Sequence, residues 1–309
     1  MSPDAAESAR LDALLEDFGL APFRDEILAR ASPCIAIALK DSPPVAVPDL
    51  PPVPLGASKV GGDPDLPAGF AWPSREDGLA GFYLQIAMAD LPVAAWNPFP
   101  ERGMCYVFCH DDQRAFWDHP GWEVVWWEGD PATLQRVPRD VQAQNPLIGE
   151  SSFFGFSVAR PLTFRAGTDF PPGTSQDWEW VNDFERRTRG HDPEALNRYF
   201  DFVIDAADPG AAKDPIGRLL GHTDARIREN LVLADRGASD RYRDHEWRKA
   251  HREALARDGA AWRQFLRLFS SSAIEYMSPC DAAPNYLMAR DTGERPWKPA
   301  GPVIGLAAN

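Results

Sequence analysis

The chain is predicted to fold as an α+β protein of mostly antiparallel, twisted sheets in two pseudo-symmetric halves, with an N-terminal helical hairpin and long covering helices. Three observations predict this class. Short apolar runs bounded by Gly, Pro and Asp recur along the sequence, as strands with turns between them do. Helical periodicity is confined to the N-terminus and to two longer stretches further on. Finally, a glycine turn, an apolar strand and a second strand occur in the same order in both halves of the 309 residues, over a period far longer than a solenoid repeat, which predicts duplication and fusion into one body.

Taken in order, residues 1–32 read as the helical hairpin, with Leu11, Leu14, Leu15 and Phe18 on one face and Phe23, Ile27 and Leu28 on another after the Leu20-Ala21-Pro22 break. The remaining residues, 33–309, form the main domain, its first half at about 33–170 and its second at about 200–309. PCIAIALKD (33–41) is a strand, and the proline-dense 42–56 is extended, because proline fixes φ and removes an amide donor. Further strands are expected at 82–88, 104–110, 122–128, 153–165, 262–269, 284–290 and 302–306. Long helices are expected at about 176–200 and 239–258. The echo pairs SKVGGDPDLPAG (58–69) with IGRLLGHTDARI (216–227), YLQIAMA with FLRLFSS, and GMCYVFCHD with APNYLMARD.

The segment SKVGGDPDLPAGFAWP (58–73) carries the most information. Gly61 and Gly62 allow backbone angles closed to other residues, three prolines stiffen the chain, and Phe70 and Trp72 are apolar anchors. Together with GFYLQIAMADLP (81–92) and MCYVFCH (104–110), this loop resembles the YwqG-like family of bacterial proteins, a domain of unknown function. The resemblance covers most of the chain from about Pro33 and implies a fold more than a role. The second half departs from the family pattern: Arg228 and Asn230 stand where similar proteins tend to carry Gln and Asp, and Leu266, Arg267, Leu268 and Phe269 replace a Leu-Gln-Leu-Asp strand.

Composition narrows the function classes. With 44% hydrophobic and 25% charged residues the chain reads as soluble and globular, without an apolar run of membrane-spanning length. The acidic start lacks the basic end and apolar stretch of a secretory signal, so a cytoplasmic location is expected. A net charge of −14 argues against a nucleic-acid surface and allows a basic protein partner. The four cysteines, Cys34, Cys105, Cys109 and Cys280, fit free thiols. Cys105 and Cys109 lie about 13 Å apart along one strand and cannot chelate one ion locally, so neither metal nor cofactor is expected. Oligomeric state is not legible.

No phosphate loop, dinucleotide fingerprint, zinc helix or nucleophile elbow is present. The leading expectation is therefore a non-catalytic binding protein that recognises a partner through rigid Gly/Pro loops, with Asp63, Asp65, His222 and Asp224 as polar contacts on the rim of the two glycine turns. One rival is a hydrolase-like or metal-assisted enzyme between the halves using His110, Asp111, His222 or Asp224. Another is a small-molecule or carbohydrate binder built on the 11 tryptophans, Trp72 and Trp122, Trp126 and Trp127 among them. Each candidate also has a structural reading: Asp63 and Asp65 as turn caps, Asp111 as a helix cap, and the tryptophans as core.

Overall fold

The structure is a computed structural model that describes residues 5–40, 52–75, 78–109, 122–138, 158–171, 178–207, 215–223, 225–238, 241, 244–268, 285–299 and 301–307. The chain divides into two compact units, the first made of residues 1–36, 165–212 and 218–264, the second of 37–164, 213–217 and 265–309.

In chain order the elements are α1 (Ala5–Asp17), α2 (Arg24–Leu28), β1 (Ser32–Leu39), β2 (Lys59–Val60), β3 (Asp65–Pro67), β4 (Ser74–Arg75), β5 (Gly78–Leu79), β6 (Gly81–Ala87), β7 (Met104–Cys109), β8 (Trp122–Trp127), β9 (Leu134–Arg136), β10 (Arg160–Asp169), α3 (Trp178–Thr188), α4 (Ala195–Ala207), β11 (Pro215–Leu220), α5 (Ala225–Asp235), α6 (His245–Ala250), α7 (Arg252–Gly259), β12 (Trp262–Leu268), β13 (Asn285–Arg290) and β14 (Gly301–Ala307). The α+β class expected from the sequence is the class observed.

The first unit is the helical one. Leu11 and Leu15 on α1, Ile27 on α2, Phe184 on α3 and Tyr199 and Phe202 on α4 are buried in one apolar cluster with Leu20 and Phe170. Their rings meet edge-on or tilted, Phe23 against Phe184 at 4.9 Å and Trp180 against Tyr199 at 5.2 Å, geometries that aromatic quadrupoles favour. The two long helices expected here are each broken. Gly190 and Pro193 stand between α3 and α4, where glycine disfavours helix and proline cannot supply an interior amide. The second stretch is interrupted at His251 (φ −110°, ψ 12°), and α6 starts only at Asp244, whose carboxylate accepts the Trp247 amide at 3.0 Å. Helix α5 begins at Ala225, directly after the second glycine turn, with Ile227, Leu231 and Leu233 buried.

Ten strands follow the order β1-β10-β2-β6-β7-β8-β14-β13-β12-β11 in a closed barrel; β2, β6, β7, β8, β13 and β14 lie wholly in the second unit. Read outward from the antiparallel β8–β14 pair, the neighbours are β7, β6 and β2 on one side and β13, β12 and β11 on the other. Every residue of β7 is buried, so the strand reads as a continuous apolar run and not as an alternation. Two-stranded β3–β9 and β4–β5 ladders accompany the barrel. The strand expected at 153–165 is β10, displaced toward the C-terminus; residues 153–157 lie outside the described ones.

Candidate functional site

The glycine-turn segment is fastened to the barrel by a row of polar side chains across three strands. Antiparallel register sets Lys59 of β2 opposite Gln85 of β6, and Gln85 opposite Tyr106 of β7, so the three side chains share one face. Asp65 docks on this row. Its carboxylate pairs with Lys59 Nζ at 2.9 Å and with Arg136 Nε at 2.9 Å, and accepts from Gln85 Nε2 at 3.0 Å and from the Gly56 amide at 2.9 Å. The Asp65 amide donates to Gln85 Oε1 at 2.9 Å, and Tyr106 Oη–H donates to the Asp65 carbonyl at 2.7 Å. Lys59 and Asp65 are both 0% exposed. A polar group so enclosed is tolerated only when it is compensated: the Asp65 carboxylate accepts from Gly56, Gln85 and Arg136, and Lys59 Nζ is held by its ion pair with Asp65.

Burial disfavours the Asp65 anion, but the Arg136 and Lys59 hydrogen bonds outweigh it and hold the carboxyl below the usual carboxylate range. Full burial pulls Lys59 below its ordinary value, an effect the Asp65 carboxylate and the nearby Asp63 charge oppose. A second anchor lies alongside: Ser58 Oγ donates to Asp90 at 2.6 Å and accepts the Ala87 amide at 2.8 Å.

Trp72 completes the loop's attachment. Its indole N–H donates to the Ala80 carbonyl at 2.7 Å and its ring meets Phe108 edge-on at 5.3 Å, while Phe70 lies on Tyr106 and Phe108. Trp72→Ala is expected to cost about 3 kcal/mol of stability, read by denaturant unfolding; a loss below about 1 kcal/mol would show that the ring contributes little packing.

The second turn, in the first unit, is built differently. Leu220 has φ 62° and Gly221 φ 93°, and Gly221 lies so close to Asp169 that a Cβ there would sit 2.5 Å from the carboxylate. Asp169, fully buried, pairs with Arg218 and accepts the His222 amide at 2.8 Å. Gln264 Nε2 donates to the Leu220 carbonyl, and His222 Nε2 lies 2.7 Å from the Arg30 carbonyl. A leucine held in the left-handed region is strained, which marks this turn as over-determined by its surroundings.

The expected site residues are thus redistributed. Asp65 cannot be a rim contact, since its carboxylate is turned inward and enclosed. Asp63 is half-buried. His222 is partly buried and held at its backbone amide and its ring. His110, Asp111 and Asp224 lie outside the described residues. The tryptophans of β8 are engaged in packing: Trp122 is buried edge-on to Tyr83, and Trp126 stacks on Phe99 with its N–H on the Pro299 carbonyl. Cys34 and Cys105 are free thiols and, like Cys109, buried, and burial pushes the Cys34 thiol up to about 12, far from a reactive thiolate. Sequence reading missed Gln85, Tyr106, Arg136, Arg218 and Asp169. A glutamine in the apolar GFYLQIA and an arginine in PIGRLL were the available signals; Arg136 had none.

Both turns fall inside a single match: the profile of a family described as a domain of unknown function, DUF1963, covers residues 58–278, more than half of the chain. The chain belongs to the DUF1963 family. The match opens at Ser58, the residue that begins the docked segment of this DUF1963 domain, and includes the Leu220–Gly221 turn. No curated protein matches the chain. Among the described residues no group of three or more His, Cys, Asp or Glu is placed to hold a metal ion, and no helix is long and apolar enough to cross a membrane.

Proposed function

We propose that this DUF1963 protein, YwqG-like in its motifs, is a non-catalytic binding protein that presents the tip of the 58–75 segment to a basic protein partner. The observation that carries the reading is the docking of Asp65. Ser58, Lys59 and Asp65 are buried and fix the segment, while Ala68, Gly69 and Ala71 remain exposed at its tip. A loop immobilised in advance loses little conformational entropy on binding, which is how rigid scaffolds present recognition surfaces. The net charge of −14 supplies the attraction for a basic partner and makes association weaken with salt.

Affinity capture from native lysate on the immobilised protein tests this, run at low and high ionic strength beside an Ala68→Lys/Ala71→Lys variant with unchanged Tm. The expected result is a basic protein retained by the wild type, released by salt and lost on the variant. Equal retention by the variant would move the functional surface away from this tip.

A further inference from the structure

We propose that the Leu220–Thr223 turn, together with Arg30 and Trp180, forms a binding site for the oxyanion of a small ligand, a carboxylate or a phosphate group. The argument starts from donors that lack acceptors. Thr223 is 0% exposed and, among the described residues, its hydroxyl finds no hydrogen-bond partner; nor do the buried Nε–H of Arg30 and indole N–H of Trp180. Buried donors are almost always satisfied, and several open ones in one neighbourhood point to a missing acceptor. Two contacts establish the neighbourhood. His222, next to Thr223 in the chain, has its ring nitrogen 2.7 Å from the Arg30 carbonyl, and the Arg30 guanidinium lies 4.3 Å over the Trp180 ring.

The charge balance favours an anion. Among the described residues Arg30 has no ion pair, its Nη1 donating to the neutral Glu26 carbonyl at 2.7 Å. The nearest buried carboxylate, Asp169, is neutralised by Arg218 and by the His222 amide. Helix α5, eleven residues long, begins two residues after Thr223 and turns its positive end toward this turn. Strain at Leu220 fits the same reading, since backbone held in the left-handed region at a non-glycine residue persists where the surroundings fix a functional geometry. Gln264 Oε1, buried and open while its amide holds the Leu220 carbonyl, would meet an N–H or O–H on the same ligand. The site is independent of the proposed partner surface, which lies in the other unit.

The indole N–H of Trp180 is the reporter. In ¹⁵N-labelled protein its resonance, assigned with Trp180→Phe, is followed while inorganic phosphate or acetate is added against chloride at matched ionic strength. The expected result is a saturable shift with phosphate or acetate and none with chloride, the stronger of the two anions naming the ligand class. Affinity should fall at least about tenfold in Thr223→Val, which removes a hydrogen bond to a charged group at nearly constant volume. Arg30→Lys, which keeps the charge but loses the Nε–H, provides the second reading should Thr223→Val not fold; weakening in either variant supports the site. No shift with either anion, an equal shift with chloride, or unchanged affinity in both variants overturns it and leaves the open donors to buried water.

Discussion

Asp65→Ala is expected to destabilise the protein by about 3 to 5 kcal/mol, because it strands a fully buried ammonium. Lys59 is 0% exposed and Asp65 is the carboxylate at 2.9 Å from its Nζ. The substitution also opens Arg136 Nε, Gln85 Nε2 and the Gly56 amide at once. The loss belongs to the unpaired charge and not to the pair itself, so a Lys59→Met/Asp65→Leu variant should recover much of it. Denaturant unfolding of Lys59→Met, Asp65→Leu and the double variant forms a thermodynamic cycle. If the double variant loses as much as the sum of the singles, the two groups are not coupled and the docking account fails.

The same carboxylate makes stability depend on pH in a defined direction. The folded Asp65 carboxyl titrates below its ordinary value, so the unfolded chain takes up a proton more readily than the folded one. Its contribution is therefore complete above the ordinary carboxylate range near pH 4 and is lost as pH falls below it. The wild type should show this acid decline and Asp65→Ala should lack that share of it.

How far the sequence foretold this arrangement depends on what each residue's neighbours are. The strands were legible because their apolar runs are short and bounded by turn residues, and β6, β7, β8, β12, β13 and β14 each lie within one residue of their expected bounds. The helical stretches were legible as helix but not in length. Gly190 with Pro193 and the capping carboxylate of Asp244 are local stop and start signals that an apolar stripe running through them outweighs in a periodicity reading. The loop was legible as rigid, yet the direction of Asp65 was not. Asp63 and Asp65 look alike in sequence, and only the register that sets Lys59, Gln85 and Tyr106 side by side makes Asp65 the buried one. Long-range pairing of that kind leaves no mark in the local pattern. The polar residue inside an apolar strand is its one trace, which is why Gln85 and Arg218 were visible in principle while Arg136, in an otherwise polar stretch, was not.

The glycine turn supplies the remaining test, because two of its glycines are required for different reasons. Gly62 has φ 65°, and a Cβ there would stand 2.6 Å from Ala159 Cβ and 2.8 Å from the Ala159 amide nitrogen. Gly69 has φ 75°, and a Cβ there would meet nothing within 4 Å. Alanine at either position carries the left-handed penalty of about 1 to 2 kcal/mol. At position 62 the contact adds overpacking against backbone, which cannot swing away as a flexible side chain would, at a further cost of about 1 to 3 kcal/mol. Gly62→Ala should therefore destabilise by about 2 to 5 kcal/mol and Gly69→Ala by only about 1 to 2 kcal/mol. Thermal or denaturant unfolding of the two variants side by side decides it. Equal losses would mean that Ala159 yields to the new methyl group and that the turn is set by backbone conformation alone; a larger loss at Gly62 shows that the close approach of the 158–160 backbone is what demands glycine at the start of the docked segment.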